Sequence, residues 1–239
     1  MKRIFIVILS IISFFTAPSQ NLLLQEIENK QKEAEGPYNI TPGECIDLGL
    51  SVKWASCNLG ATSCEECGDF YSWGETTTKK VYKTGSSKFK NVSKNNLQKK
   101  GVIDAYGNLT KEYDAASQRL GGNWRMPTQR EMEELVNRCK WYPRSDNGID
   151  GYLIQGPNGN TIFLPNTPVR TNSKHEWVEG GYYRTSTGDY SKYGGNDAYY
   201  LSSNPGNYNI MGFNYSNTKS VHAGNESRSV GFCIRPVQK

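Results

Sequence analysis

The stretch Gly151-Tyr-Leu-Ile-Gln-Gly-Pro-Asn-Gly-Asn-Thr-Ile-Phe-Leu-Pro165 decides the fold class. Two short apolar runs flank Asn158-Gly159-Asn160, and Asn-Gly supplies the positive φ angles that a tight antiparallel turn requires. A hairpin over residues 151–165 follows. Upstream, Thr128 precedes Gln-Arg-Glu-Met-Glu-Glu-Leu-Val-Asn-Arg-Cys139. Thr128 and Glu131 have the spacing of a capping box, and Met132, Leu135, Val136 and Cys139 share one helical face. A second helix is expected over residues 110–120, with Tyr113, Ala116, Ser117 and Leu120 facing inwards. Further strands read at residues 46–52, 198–201 and 229–234, each bounded by Gly, Asn or Pro. Together these predict an α+β fold with two helices, short antiparallel sheets and long loops.

Composition is steady over residues 38–239, which hold nearly all of the 24 glycines, 15 tyrosines and 5 tryptophans, so one domain is expected there. Residues 20–37 read as a short helical spacer ended by Gly36 and Pro37. Residues 1–19 have the layout of a secretory signal: Lys2 and Arg3, an apolar run at 4–15, then small residues at Ala17 and Ser19. That run is too short for a spanning helix, which needs about 20 apolar residues. The expectation is export to the cell surface, the periplasm or the medium, with cleavage after Ser19 and no stable membrane insertion afterwards. Cleavage would remove Lys2 and Arg3 and take the net charge from +5 to +3. A mean hydropathy of −0.67 fits the water-soluble remainder. Lysines between Lys79 and Lys100 lie among Gly, Ser, Thr and Asn, as in a solvated loop, so no nucleic-acid partner is expected.

Outside the cytoplasm, thiols are usually oxidised. The six cysteines all lie beyond residue 19, and six allow fifteen pairings, among which spacing does not choose. Cys64-Glu-Glu-Cys67 lacks a second such pair and a nearby histidine, so it reads as structural rather than metal-binding. His175 and His222 have no neighbour at metal-ligand spacing, and no Gly-x-Ser-x-Gly elbow occurs. Asp189 with Asp197 is no better a glycosidase pair than other acids. No enzyme and no cofactor is expected. Calcium would need an oxygen cluster, for which Asn196 with Asp197 is a start.

Regular patterning is weakest over residues 179–227. Tyrosines there stand among Ser, Gly and Asn, a mixture that pairs rigid amphipathic contact area with adaptable hydrogen bonding. Tyr190, Tyr193, Asn196, Asp197, Tyr208, Asn209 and Tyr215 are the candidate ligand-binding residues, for a glycan or a surface protein. Tyr199, Tyr200 and Phe213 read instead as strand and core residues. Trp54, Trp73, Trp124 and Trp141 read as core. Pro127 is expected in the first helical turn. Arg125 and Arg235 are expected to stabilise the fold by pairing with buried acids such as Asp69 or Glu75.

Several phrases, taken together and in order, resemble the Fibrobacter succinogenes major paralogous domain. They are Ile46-Asp-Leu-Gly-Leu-Ser-Val-Lys-Trp-Ala-Ser-Cys-Asn-Leu-Gly-Ala61, Gly68-Asp-Phe-Tyr-Ser-Trp-Gly-Glu75, Gly121-Gly-Asn-Trp-Arg-Met-Pro-Thr128, the hairpin, and Arg235-Pro-Val237. The resemblance spans residues 45–237. It implies a C-type-lectin-like fold, related to formylglycine-generating enzymes, of a kind abundant in secreted and surface proteins of Bacteroidetes. In such folds the terminal strands pair and long loops form the binding face. It further implies disulfides joining Cys45 to Cys233 and Cys57 to Cys139, with Cys64–Cys67 completing the set. Ser229-Val-Gly-Phe-Cys-Ile-Arg235 resembles the end of the oxidases, which bind copper there with two cysteines. This chain has only Cys233 in that region, the nearest other cysteine in sequence being Cys139, which argues against a copper oxidase. The reading is a secreted or surface-exposed binding module, with a structural role in the cell envelope or a surface assembly as the alternative.

Overall fold

The computed structural model describes residues 43–83, 86–89, 92–171, 174–176, 183, 199–200, 224–225 and 228–239. All belong to the unit Ile40–Lys239. They form a mixed α+β fold. Strand β1 (Cys45–Ile46) pairs antiparallel with β2 (Lys53–Ala55), whose other edge takes β10 (Val237–Gln238), so the first and last described strands share one sheet. A second sheet is a meander of β3 (Lys140–Asp146), β4 (Ile149–Gln155) and β5 (Thr161–Pro165). Two ribbons complete the set: β6 (Val169–Thr171) with β7 (Lys174–Glu176), and β8 (Tyr199–Tyr200) with β9 (Gly224–Asn225). The helices are α1 (Lys94–Lys99), α2 (Ala115–Leu120), preceded by a 3-10 turn at Lys111–Tyr113, and α3 (Gln129–Arg138).

The 151–165 hairpin forms with Gln155 opposite Thr161 and Gly151 opposite Pro165. Gly159 takes the left-handed conformation at the tip, at φ +89°. Asn158 and Asn160 each donate a side-chain hydrogen bond of 2.8 Å to the Asp47 carbonyl, which docks the tip on the turn after β1. That turn corrects the expected strand over 46–52. Asp47 Oδ1 accepts the Gly49 N–H at 2.8 Å and Gly49 has φ +72°, so the chain reverses and resumes as β2.

At α3, the Thr128 hydroxyl accepts the Glu131 N–H while Glu131 Oε2 accepts the Thr128 N–H at 2.8 Å, the reciprocal bonds of a capping box. Met132, Leu135 and Cys139 are buried. Pro127 sits just before the cap residue rather than in the first turn. The second helix divides because Asp114 caps α2, accepting the Ser117 N–H at 2.8 Å; its other oxygen takes the Met126 N–H at 2.9 Å. Ala116 and Ser117 are buried, but Leu120 is 46% exposed because the helix ends there at Gly121.

The C-terminal segment is the hub. Gly231 exchanges two backbone hydrogen bonds with Arg170, Phe232 two with Tyr71, and Val237 two with Arg125; Ile234 and Pro236 carbonyls accept from Leu59 and Ala55. Phe232, Cys233, Ile234, Arg235 and Val237 are fully buried. Two apolar clusters meet along it: one around Trp73, Leu97, Ile103 and Phe232, the other around Trp54, Leu135, Ile154 and Leu164.

Candidate functional site

Arg235 lies at 0% exposure where the two larger sheets approach. Its Nε donates to Asn58 Oδ1 at 2.9 Å, Nη1 to the carbonyls of Ser56 and, at 3.1 Å, Ala55, and Nη2 to the Phe163 carbonyl at 2.8 Å. The expected partners Asp69 and Glu75 are engaged elsewhere: Asp69 accepts from the Tyr71 hydroxyl at 3.1 Å, and Glu75 pairs with Lys79 at 2.5 Å. Arg125 instead pairs with Glu131 through both guanidinium nitrogens, at 2.6 and 2.8 Å. Both arginines are therefore structural, through partners that adjacency in sequence does not reveal for Arg235.

The cysteines also depart from the implied pairing. Cys57 and Cys64 form a disulfide, while Cys45, Cys67, Cys139 and Cys233 remain thiols. The loop between them explains this: Ala61 N–H bonds to the Asn58 carbonyl and Asp69 N–H to the Leu59 carbonyl, folding the segment back so that Cys64 meets Cys57. Cys57 is thus not joined to Cys139, nor Cys64 to Cys67. Cys45 is opposite Ala55 in β1 and remains a thiol, so it is not joined to Cys233. Cys233 lies instead beside Cys67, in the same apolar cluster. The partner missing from the sequence near Cys233 comes from 166 residues upstream.

Tyr190, Tyr193, Asn196, Asp197, Tyr208, Asn209 and Tyr215 lie outside the described residues, as do Tyr182, Asp189, Phe213 and His222. Tyr199 and Tyr200 form β8, opposite Asn225 and Gly224. The roots of this segment are well defined. Tyr183 is fully buried, its hydroxyl donates to the Pro165 carbonyl at 2.8 Å, and its backbone bridges Cys233. Burial pushes the Tyr183 phenol well above its ordinary range, so it stays a donor at any physiological pH. At the other root Arg228 is 2% exposed, stacks 4.8 Å from the Trp73 ring centroid, and donates to the Phe89 and Val92 carbonyls. Tyr183 and Arg228, which flank residues 184–227 in sequence, are thus both buried and hydrogen-bonded to backbone carbonyls.

A polar concavity of about 530 Å³ opens beside the start of α3, lined by Asp104, Asn108, Lys111, Asn123, Trp124 and Arg125, among others. Much of its polarity is already engaged. Asp104 Oδ1 accepts the Tyr106 and Asn108 N–H groups at 2.9 Å, and Lys111 reaches the Gly122 carbonyl at 3.2 Å. Trp124, expected in the core, is half-buried here and also borders a second hollow of about 350 Å³. Among the described residues no group of three or more His, Cys, Asp or Glu is arranged to hold a metal ion, and no helix is long and apolar enough to cross a membrane. Comparison of the chain with protein-family models, with curated proteins and with solved structures finds no match in any of the three.

Proposed function

We propose that this chain is an exported, non-catalytic recognition module of C-type-lectin-like architecture, which holds a glycan or a protein through the Tyr/Asn-rich segment between Tyr183 and Arg228. The observation that carries the reading is the mounting of that segment. Its two ends are held by a fully buried tyrosine and a nearly fully buried arginine. Both contact the neighbourhood of one hub: Tyr183 bridges Cys233, and the Arg228 carbonyl accepts the Trp73 N–H five residues before Cys233.

Binding loops in general are carried by positions held on a rigid scaffold, and Tyr183 and Arg228 are two such positions. The segment's composition supports the same reading. Six of the chain's 15 tyrosines, at 190, 193, 199, 200, 208 and 215, fall among residues 184–227 with Asn, Ser and Gly between them. The pairing of Lys53–Ala55 with Val237–Gln238, which puts an early and the last described strand side by side, supports this architecture.

The test is a glycan and surface-protein array probed with the oxidised chain, with and without calcium, beside a variant with Tyr190, Tyr193, Tyr208 and Tyr215 all changed to Ala. Binding by the parent that the variant loses, with unfolding midpoints unchanged, is expected. Equal binding by both would remove these tyrosines as the site. No binding by either would favour a structural role in the envelope.

A further inference from the structure

Cys67 and Cys233 are far apart in sequence but held together by backbone on both sides. The Leu59 N–H bonds to the Ile234 carbonyl at 2.9 Å, the Asp69 N–H to the Leu59 carbonyl at 2.8 Å, and the Tyr71 N–H to the Phe232 carbonyl at 3.0 Å. The Asn58 side chain adds a bond of 3.2 Å to the Cys67 carbonyl. Both cysteines belong to the same apolar cluster, Cys233 within it at 0% exposure and Cys67 against its edge. Their thiols are close enough to perturb each other's ionisation. Cys57 and Cys64 are already joined to each other, and of the four remaining thiols, Cys45, Cys67, Cys139 and Cys233, those of Cys67 and Cys233 interact with each other.

We propose that Cys67 and Cys233 are a site of disulfide formation, closed by transfer of two electrons to an external disulfide, and that this bond fastens the hub strand to the loop over residues 58–69. The inference rests on the export reading only for the supply of that oxidant, a small-molecule disulfide or a dithiol oxidase.

The exposure of the two sulfurs sets the order of events. The Cys67 thiolate attacks one sulfur of the oxidant; a mixed disulfide forms and the oxidant's other sulfur leaves as a thiolate. The Cys233 thiol then gives up its proton and attacks Cys67 Sγ, expelling the remaining oxidant sulfur. Two electrons and two protons pass to the oxidant, which departs as two thiols. The hydrogen bond from Cys233 lowers the Cys67 thiol below its ordinary value, whereas burial holds that of Cys233 up, so Cys67 is the better first nucleophile. Because Cys233 also bridges Tyr183, the new bond would brace one root of the Tyr/Asn-rich segment.

The test is to treat the full chain, folded with Cys67 and Cys233 as thiols, with oxidised glutathione, then quench, alkylate and digest it without reductant. A reductant-sensitive peptide pair holding Cys67 and Cys233 is expected. In the Cys233→Ser variant, the glutathione adduct should accumulate on Cys67. Recovery of both cysteines alkylated or separately glutathionylated in the parent would overturn the proposal, as would either of them joined to Cys45, Cys64 or Cys139. The parent map decides the matter even where the variant fails to fold. The same map on protein taken from outside the cell tests export separately, since thiols there beside a bond formed in vitro would remove the export reading alone.

Discussion

Arg235→Met should be among the most damaging single substitutions in the molecule. Methionine fits the space of the aliphatic stem but donates nothing, so four acceptors lose their partner: the carbonyls of Ala55, Ser56 and Phe163, and Asn58 Oδ1. Hydrogen bonds to a charged donor are worth about 1.5–3 kcal/mol each, or about 6–12 kcal/mol for the set. Against this stands the cost of dehydrating the guanidinium, itself several kcal/mol. The difference should be a net loss of about 3–5 kcal/mol, the usual consequence of removing one side of a buried charged network. An ion pair can be replaced on both sides by apolar groups, but backbone carbonyls cannot be mutated away, so no second substitution restores the site. In urea the midpoint should fall by about 1–2 M at unchanged slope. Arg235→Lys keeps the charge but not the planar fork, and should fall between the two. A Met variant whose midpoint stays within about 0.3 M of the parent would refute the reasoning.

Two further outcomes follow from local geometry. A Cβ at Gly156 would stand 2.1 Å from the Leu48 carbonyl oxygen, whereas one at Gly159 meets nothing within 4 Å and suffers only its φ of +89°. Gly156→Ala should therefore cost more than Gly159→Ala, which should cost about 1–2 kcal/mol; thermal unfolding of the pair checks the order, and equal losses would contradict it. Burial by itself raises the Glu131 carboxyl, but hydrogen bonds from Arg125 and Thr128 outweigh it and hold the group below its ordinary value of 4.5. The stability it contributes is present above pH 4.5 and lost as pH falls through the lower folded value. Glu131→Gln should thus be about 1–2 kcal/mol less stable at neutral pH, with the gap closing in acid. Asp114 shifts the other way, raised by burial, but it is common to both proteins and cancels in the difference. Urea midpoints from pH 7 to pH 3 measure this, and a gap independent of pH would sink it.

What could be read in the sequence was what short-range geometry decides. The capping box at Thr128 and the Asn-Gly turn at 158–160 involve residues within three positions of one another, and both form. Strand β3 carries an equally local signal: Asn147 and Gly148 take φ of 50° and 80° and join Asp146 to Ile149 in a tight hairpin. Pro143 argues against a strand, yet β3 is the edge of its sheet, where a missing donor is tolerated. Asp47 misled in the opposite direction, because the apolar Leu48, Leu50 and Val52 around it suggest alternation while its side chain closes a turn. The pairing of Cys57 with Cys64 follows from the local turn of the loop between them, whereas the approach of Cys67 to Cys233 depends on where the chain's last segment threads, which no local pattern encodes. The candidate ligand residues at 190–215 rest on composition and lie outside the described residues.

That threading itself needs a cause, because the hub segment pairs with six separate stretches, around Arg170, Tyr71, Arg125, Leu59, Ala55 and Tyr183. Apolar burial alone would specify it weakly, since Phe232, Ile234 and Val237 could be exchanged for one another by small slips without exposing much apolar surface. Arg235 removes that freedom. It is fully buried, and its acceptors come from the end of β2, the following residue pair and β5. A slip of one residue would bring Ile234 or Pro236 to the acceptors and carry the guanidinium into apolar surroundings, combining unpaired carbonyls with an unpaired charge. One cation held by four oxygens therefore selects a single register for the segment that leads into β10. The same register sets Cys233 against Cys67 and Tyr183 against the hub, so the mounting of the Tyr/Asn-rich segment depends on it.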